Sequence, residues 1–180
     1  TVEFEKNIGP ILGDLNLDEI LNFDEQDFIK KVSPVYDTIN LIKKDKITKN
    51  RSVIGFVGAP WTLLLYMLNK KSPKKNFDKE LLGNKMITSS LLNILNKFIK
   101  IHIKNQIKEG AQVIQIFDSW AGLLEEKELG FYVYEPTLNL VEYTKSLNIP
   151  VICFPRGIKD YQKYCEIVNP TAISIDYDVD

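Results

Sequence analysis

Residues 114–124 read IQIFDSWAGLL. Together with Gln112 and Val113 they start as an apolar strand. At Asp118, Ser119 and Trp120 the strand then meets an acid, a hydroxyl and an indole, which a buried strand does not need. Three more runs of the same kind lie at 53–57 (in RSVIGFVGAP), 150–154 (in IPVICF) and 171–176 (TAISID). Helical spacing of apolar residues is expected between them, at 63–68, 89–108, 136–146 and 159–168. Strands apolar on both faces and separated by helices predict an α/β fold with a parallel sheet covered by helices. An open doubly wound sheet and a barrel both satisfy that pattern.

Each of the four strands ends in a polar or turn-forming group: GAPWT, DSWAG, PRG and DYDVD. Parallel α/β folds build their ligand sites from the loops at the carboxyl ends of the strands. The four endings therefore predict one site with several walls. The plainer explanation is that Gly, Pro, Asp and Ser form turns and cap helices. Before residue 51 the pattern differs. An acidic, loop-rich stretch is followed by an expected helix at 33–44, with Ser33 as cap and Pro34 in its first turn. Residues 69–80, NKKSPKKNFDKE, read as a lysine-rich solvated excursion. With no internal repeat or linker, 1–180 reads as one domain.

Charge and composition exclude several function classes. The 23 basic and 24 acidic residues nearly cancel, so no general attraction to nucleic acid or anionic lipid is expected. Arg51 and Arg156 are the only arginines, so bidentate recognition of a carboxylate has few available sources. Cys153, Cys165 and the single His102 lack the spacing of a disulfide framework or a zinc site. A reduced, metal-free cytoplasmic protein is the expectation. No apolar run has the length of a membrane span, which predicts no membrane insertion. The chain starts at Thr1 without an initiator methionine, which predicts a fragment or a processed product.

Two blocks carry a resemblance. GFVGAPWTLLLYML (55–68) and GAQVIQIFDSWAGLL (110–124) look like the two interior signature blocks of the uroporphyrinogen decarboxylase family, and PVICFPRG and AISIDYDVD follow in the family's order. The resemblance runs over residues 2–180 and corresponds to about the middle half of the family's sequence. It implies a (β/α)8 TIM barrel, of which about four βα units are present here. It further implies a homodimer when full length, and decarboxylation of the four acetate side chains of uroporphyrinogen III to coproporphyrinogen III in porphyrin and haem biosynthesis. The family uses no cofactor and no metal. Protonating a pyrrole carbon makes the ring itself the electron sink, so the protein supplies an acid, a carboxylate for the pyrrole NH groups, and basic residues for the substrate's carboxylates.

Carried over residue by residue, the family's substrate-binding tyrosine falls on Tyr66 and its hydroxyl residue on Ser119. Asp118 and Arg156 are further candidates. Each has a plainer alternative: Tyr66 as a core-edge tyrosine, Ser119 as an N-cap, Arg156 in a local ion pair. Trp120 is expected to pack its loop rather than touch ligand, and His102 to be a packing or surface residue. The family's pyrrole-binding aspartate and arginine-rich segment are expected upstream of residue 1, and a histidine downstream of residue 180, so no catalytic residue is assigned within the chain. The isolated 180 residues are expected to be inactive. At two places the chain departs from the family: IKDYQKY follows FPRG, and Tyr177 follows Asp176 where a tryptophan is common. Two alternatives remain: a corrinoid-linked methyltransferase of the same superfamily, disfavoured because Cys153 and Cys165 have no paired histidine, and a non-catalytic tetrapyrrole-binding fragment.

Overall fold

A computed structural model describes residues 2–6, 9–14, 16–73, 77–177 and 179. Lys74, Lys75 and Asn76 of the lysine-rich excursion, and Asp178 and Asp180 of the DYDVD ending, lie outside the described residues.

Four parallel strands form the centre: β3 (Ile54–Gly58), β4 (Val113–Asp118), β5 (Val151–Pro155) and β6 (Ala172–Ile173), following the amino-terminal strands β1 (Val2–Glu5) and β2 (Gly9–Leu12). Their spatial order is β3-β4-β5-β6, each strand beside the next in sequence. A doubly wound sheet reverses its strand order at a switch point, whereas a barrel progresses around one way. The observed order is the barrel's, and four βα units form an incomplete one.

Among the described residues helices cover one face of the sheet. Gly55 and Val57 of β3, Ile114 and Ile116 of β4, and Val151 and Cys153 of β5 are buried against them. The covering helices are α3 (Pro60–Asn69), α4 (Lys85–Glu109), α6 (Glu135–Ser146) and α7 (Tyr161–Val168). Leu64, Leu65, Leu91, Ile103, Leu140, Val141 and Tyr164 project from them into the core. The π turn Gly130–Tyr134 follows the short α5 (Glu126–Leu129) and adds Val133. The opposite sheet face carries the alternate residues, Ile54, Phe56, Phe117, Ile152 and Phe154 among them, and is partly or wholly open.

Several expected boundaries move. The helix expected at 33–44 is α2 (Glu25–Lys44), which starts eight residues earlier because the Asp24 carboxylate accepts from the amides of Gln26 and Asp27. Pro34 therefore sits inside the helix rather than in its first turn. Its ring leaves the Lys30 carbonyl without the usual amide partner, a position tolerated here within a long amphipathic helix. The stretch before it, expected as loop, contains the β1–β2 antiparallel hairpin and the short α1 (Leu17–Leu21). α3 starts at Pro60, since proline suits the first helical position, and α4 starts four residues before the expected 89–108 and ends one residue after it. β6 is shorter than 171–176, with only Ala172 and Ile173 paired to β5.

Candidate functional site

The strand ends meet at one rim. After β3 the chain enters α3 through Ala59 and Pro60, with Trp61 and Thr62 buried. After β4, Ser119 and Trp120 lead into a 3-10 turn, Ala121–Leu123. After β5, Arg156 and Gly157 form a turn, and after β6 comes Asp176. The loops after β4 and β5 touch: the Gly122 amide donates to the Arg156 carbonyl at 2.9 Å. A Cβ on Gly122 would lie 2.3 Å from the Gly157 carbonyl oxygen, so glycine is required there for backbone to pass backbone. Gly157 itself has φ +77°.

Between these loops lies a cleft of about 380 Å³ lined by Ser119, Trp120, Gly122, Leu123, Arg156 and Gly157. Ser119 and Arg156, 37 residues apart in sequence, thus face the same space. Ser119 does not cap the following turn: the N-cap position is Trp120, and no side chain bonds there. The Arg156 guanidinium forms a long ion pair with Asp176, Nε to Oδ1 at 3.7 Å, and is half exposed, so donors remain for an anion. Asp176 is the anchor of this side. Its Oδ2 accepts from the Gly157 amide and from the Tyr161 hydroxyl, both at 2.7 Å. Burial and this bond push the Tyr161 phenol up to about 12.

Tyr66 does not line the cleft. It stands beside it, its ring edge-on to Trp120 with centroids 6.3 Å apart. Trp120 packs its loop as expected, its carbonyl accepting from Trp61 Nε1 at 2.9 Å, and it also lines the cleft. Asp118 points the other way. It shares the helix-facing side of β4 with Ile114 and Ile116 and is 1% exposed. Its Oδ1 accepts from the Thr62 hydroxyl at 2.7 Å, while its Oδ2 is buried without a partner. Burial pushes this carboxyl up to about 7, against the smaller opposing effect of the Thr62 bonds.

Sequence reasoning missed the aromatic row on the open sheet face. Phe56, Phe117 and Phe154 come from three adjacent strands, with ring centroids 6.1 and 6.2 Å apart in edge-to-face pairs. Phe56 is 65% exposed. The signal was available in the period-2 alternation: each phenylalanine flanks a residue that faces the helices, and so must face away from them. Asp176 was also passed over, although an acid ending the strand-like ISID marked it.

The cysteines and the histidine do not converge at this rim. Cys153 is buried on the helix-facing side of β5, its thiol pushed up to about 12 by burial, and Cys165 lies on α7. His102 packs on α4 against Tyr36, Nδ1 to the hydroxyl at 3.0 Å, and against Phe28. Among the described residues no helix is long and apolar enough to cross a membrane.

A hydroxyl, a guanidinium and aromatic rings thus lie at the strand ends of a barrel-type sheet. The comparisons make this specific: the profile of the family described as Uroporphyrinogen decarboxylase (URO-D) matches residues 1–180, and the chain belongs to that family. A Rickettsia bellii protein named uroporphyrinogen decarboxylase is 38% identical over 181 residues, covering 97% of this chain and 53% of that protein. One of the same name from Orientia tsutsugamushi strain Ikeda is 39% identical over 99% of this chain and 53% of its own length. A Campylobacter jejuni namesake is 38% identical over 89% and 48%. The chain spans about half the length of these curated relatives.

Proposed function

We propose that this chain is the part of a uroporphyrinogen decarboxylase that seats the substrate's carboxylate arms and one face of its pyrrole rings. The observation that carries the reading is the convergence of Ser119 and Arg156 on one cleft, beside Tyr66, at the carboxyl ends of parallel strands. The Ser119 hydroxyl and the Arg156 guanidinium donate to acetate or propionate oxygens, and the Tyr66 phenol donates to a further one. The Phe56–Phe117–Phe154 row offers an apolar floor on which a tetrapyrrole packs. Protonation of a pyrrole carbon then lets carbon dioxide depart from the acetate arm. The groups above hold the substrate for that step, and none of them is assigned as the proton donor.

Family resemblance is the support for two accompanying proposals, a homodimeric assembly of the full-length enzyme and a cytoplasmic setting. The experiment is anaerobic titration of the chain with uroporphyrinogen, followed by the quenching of tryptophan emission. Trp61 and Trp120 are the only tryptophans, and Trp120 lines the cleft. Saturable quenching that Ser119→Ala and Arg156→Ala weaken is expected. Quenching of equal strength in both variants overturns the assignment of the cleft.

A further inference from the structure

Asp118 immediately precedes Ser119 and ties together three elements at the rim. Its Oδ1 holds Thr62 in the first turn of α3, its main-chain carbonyl accepts from the Arg156 amide at 3.0 Å in the loop after β5, and it is itself the last residue of β4. A second tie runs parallel to the first, from Trp61 Nε1 to the Trp120 carbonyl. Within this junction Oδ2 has no partner and no exposure to water, and the Trp120 Nε1 two residues on is likewise buried without a partner. A buried carboxylate held by Thr62 alone is costly to keep charged, and a buried carboxylic acid makes a weaker bond to Thr62 than the ion does.

We propose that Asp118 is a positioning residue, a proton-responsive latch that acts through Thr62 to set where Ser119 and Trp120 stand in the cleft. The groups facing it support a switch of its own rather than a shared one. β5 presents the Cys153 thiol, α7 the Tyr164 phenol, α6 Thr137 behind Tyr164, and α3 Thr62, through its hydroxyl and its main-chain amide. Burial raises the thiol and the phenol, so both stay neutral while Asp118, raised to about 7, changes charge near physiological pH. On ionisation the Thr62 hydroxyl is drawn in by a charge-assisted bond, and the start of α3 and the end of β4 shift together. The consequence for ligand affinity rests on the carboxylate-binding reading of the cleft; the latch does not.

The two tryptophans flank the latch, one adjoining Thr62 and the other two residues beyond Asp118, so their emission reports on it. Titrated between about pH 5.5 and 8.5, the chain is expected to show a one-proton change in emission with its midpoint near neutrality. Asp118→Asn abolishes the change. Thr62→Val moves the midpoint upward by removing the bond that favours the ion, and Thr62→Ser restores it. Uroporphyrinogen affinity, measured by the same emission, is expected to vary by about threefold or more over this range and to be flat in Asp118→Asn. A transition that persists unchanged in Asp118→Asn, or a folded wild-type chain whose emission does not respond, overturns the latch. If Asp118→Asn does not fold, the upward midpoint shift of Thr62→Val and its absence in Thr62→Ser decide. An emission transition that obeys these variants while affinity stays flat upholds the latch and removes only its link to the cleft.

Discussion

Gly122 and Gly157 are the point where two loops cross without room for a side chain. An alanine at 122 puts its Cβ 2.3 Å from one backbone atom of Gly157 and 2.7 Å from another, neither of which can rotate away. Gly122→Ala is expected to lower stability by about 2 kcal/mol in urea denaturation and to weaken tetrapyrrole binding, because the cleft wall moves with the loop. Gly157→Ala meets its nearest atom at an ordinary 3.4 Å and suffers only from its positive φ, so about 1 kcal/mol is expected. Asp118 gives a different signature. Its carboxyl ionises near 3.8 when unfolded and near 7 when folded, so between those values the folded chain holds a proton that the unfolded chain has released. Stability therefore falls as pH rises from about 4 to about 7, by up to roughly 4 kcal/mol, and levels off above. Chemical denaturation across this range should show that slope in the wild type and lose it in Asp118→Asn. The residue was conspicuous in the sequence, and its direction was legible too, since strand parity puts it with Ile114 and Ile116 rather than with Phe117.

At the scale of elements, the sheet is closed off in one place by a side chain. β3 uses alternate residues to bond β4: the Val53 carbonyl accepts from Gln112 and the Ala59 amide donates to Phe117. Phe56, of opposite parity, turns its amide and carbonyl to the free edge. Gln106 of α4 takes both, accepting from the Phe56 amide at 3.1 Å and donating to its carbonyl at 3.0 Å. Gln106→Leu, similar in size, leaves two backbone groups unpartnered and is expected to cost about 2–3 kcal/mol. Faster amide hydrogen exchange at Phe56 than at Val57 would locate the loss. This clamp was illegible in the sequence, where a glutamine in a long polar-faced helix looks solvated. The α2 boundary failed for a related reason. Pro34 is a strong local signal for a helix start, but the Asp24 cap and the packing of α2 on α4 outweigh it. The strands and the alternation, in contrast, were readable because every helix-facing position is apolar except the last of β4.

At the scale of the molecule, four parallel strands in unbroken order leave a sheet with two ends and a bare aromatic face. β6 offers only two paired residues at one end, and at the other the Phe56 backbone of β3 is taken by Gln106 rather than by a strand. Such edges and an exposed apolar face favour association with further strands. The same face holds the Phe56–Phe117–Phe154 row, so closing the sheet into a barrel places these rings inside it, next to the rim that bears Ser119 and Arg156. The proposed substrate seat and the closure of the sheet thus draw on one surface. The isolated chain is therefore expected to bind uroporphyrinogen weakly and to form no coproporphyrinogen above background. A chimera in which these residues replace the matching stretch of the Rickettsia bellii relative supplies the remaining strands, and chromatography of its anaerobic reaction products is expected to show coproporphyrinogen. Within that chimera, Phe117→Ala removes the central ring of the row and should raise KM by about tenfold with a smaller effect on kcat, as expected for loss of ground-state packing. A Phe117→Ala chimera with unaltered KM would mean that the tetrapyrrole does not lie on this face.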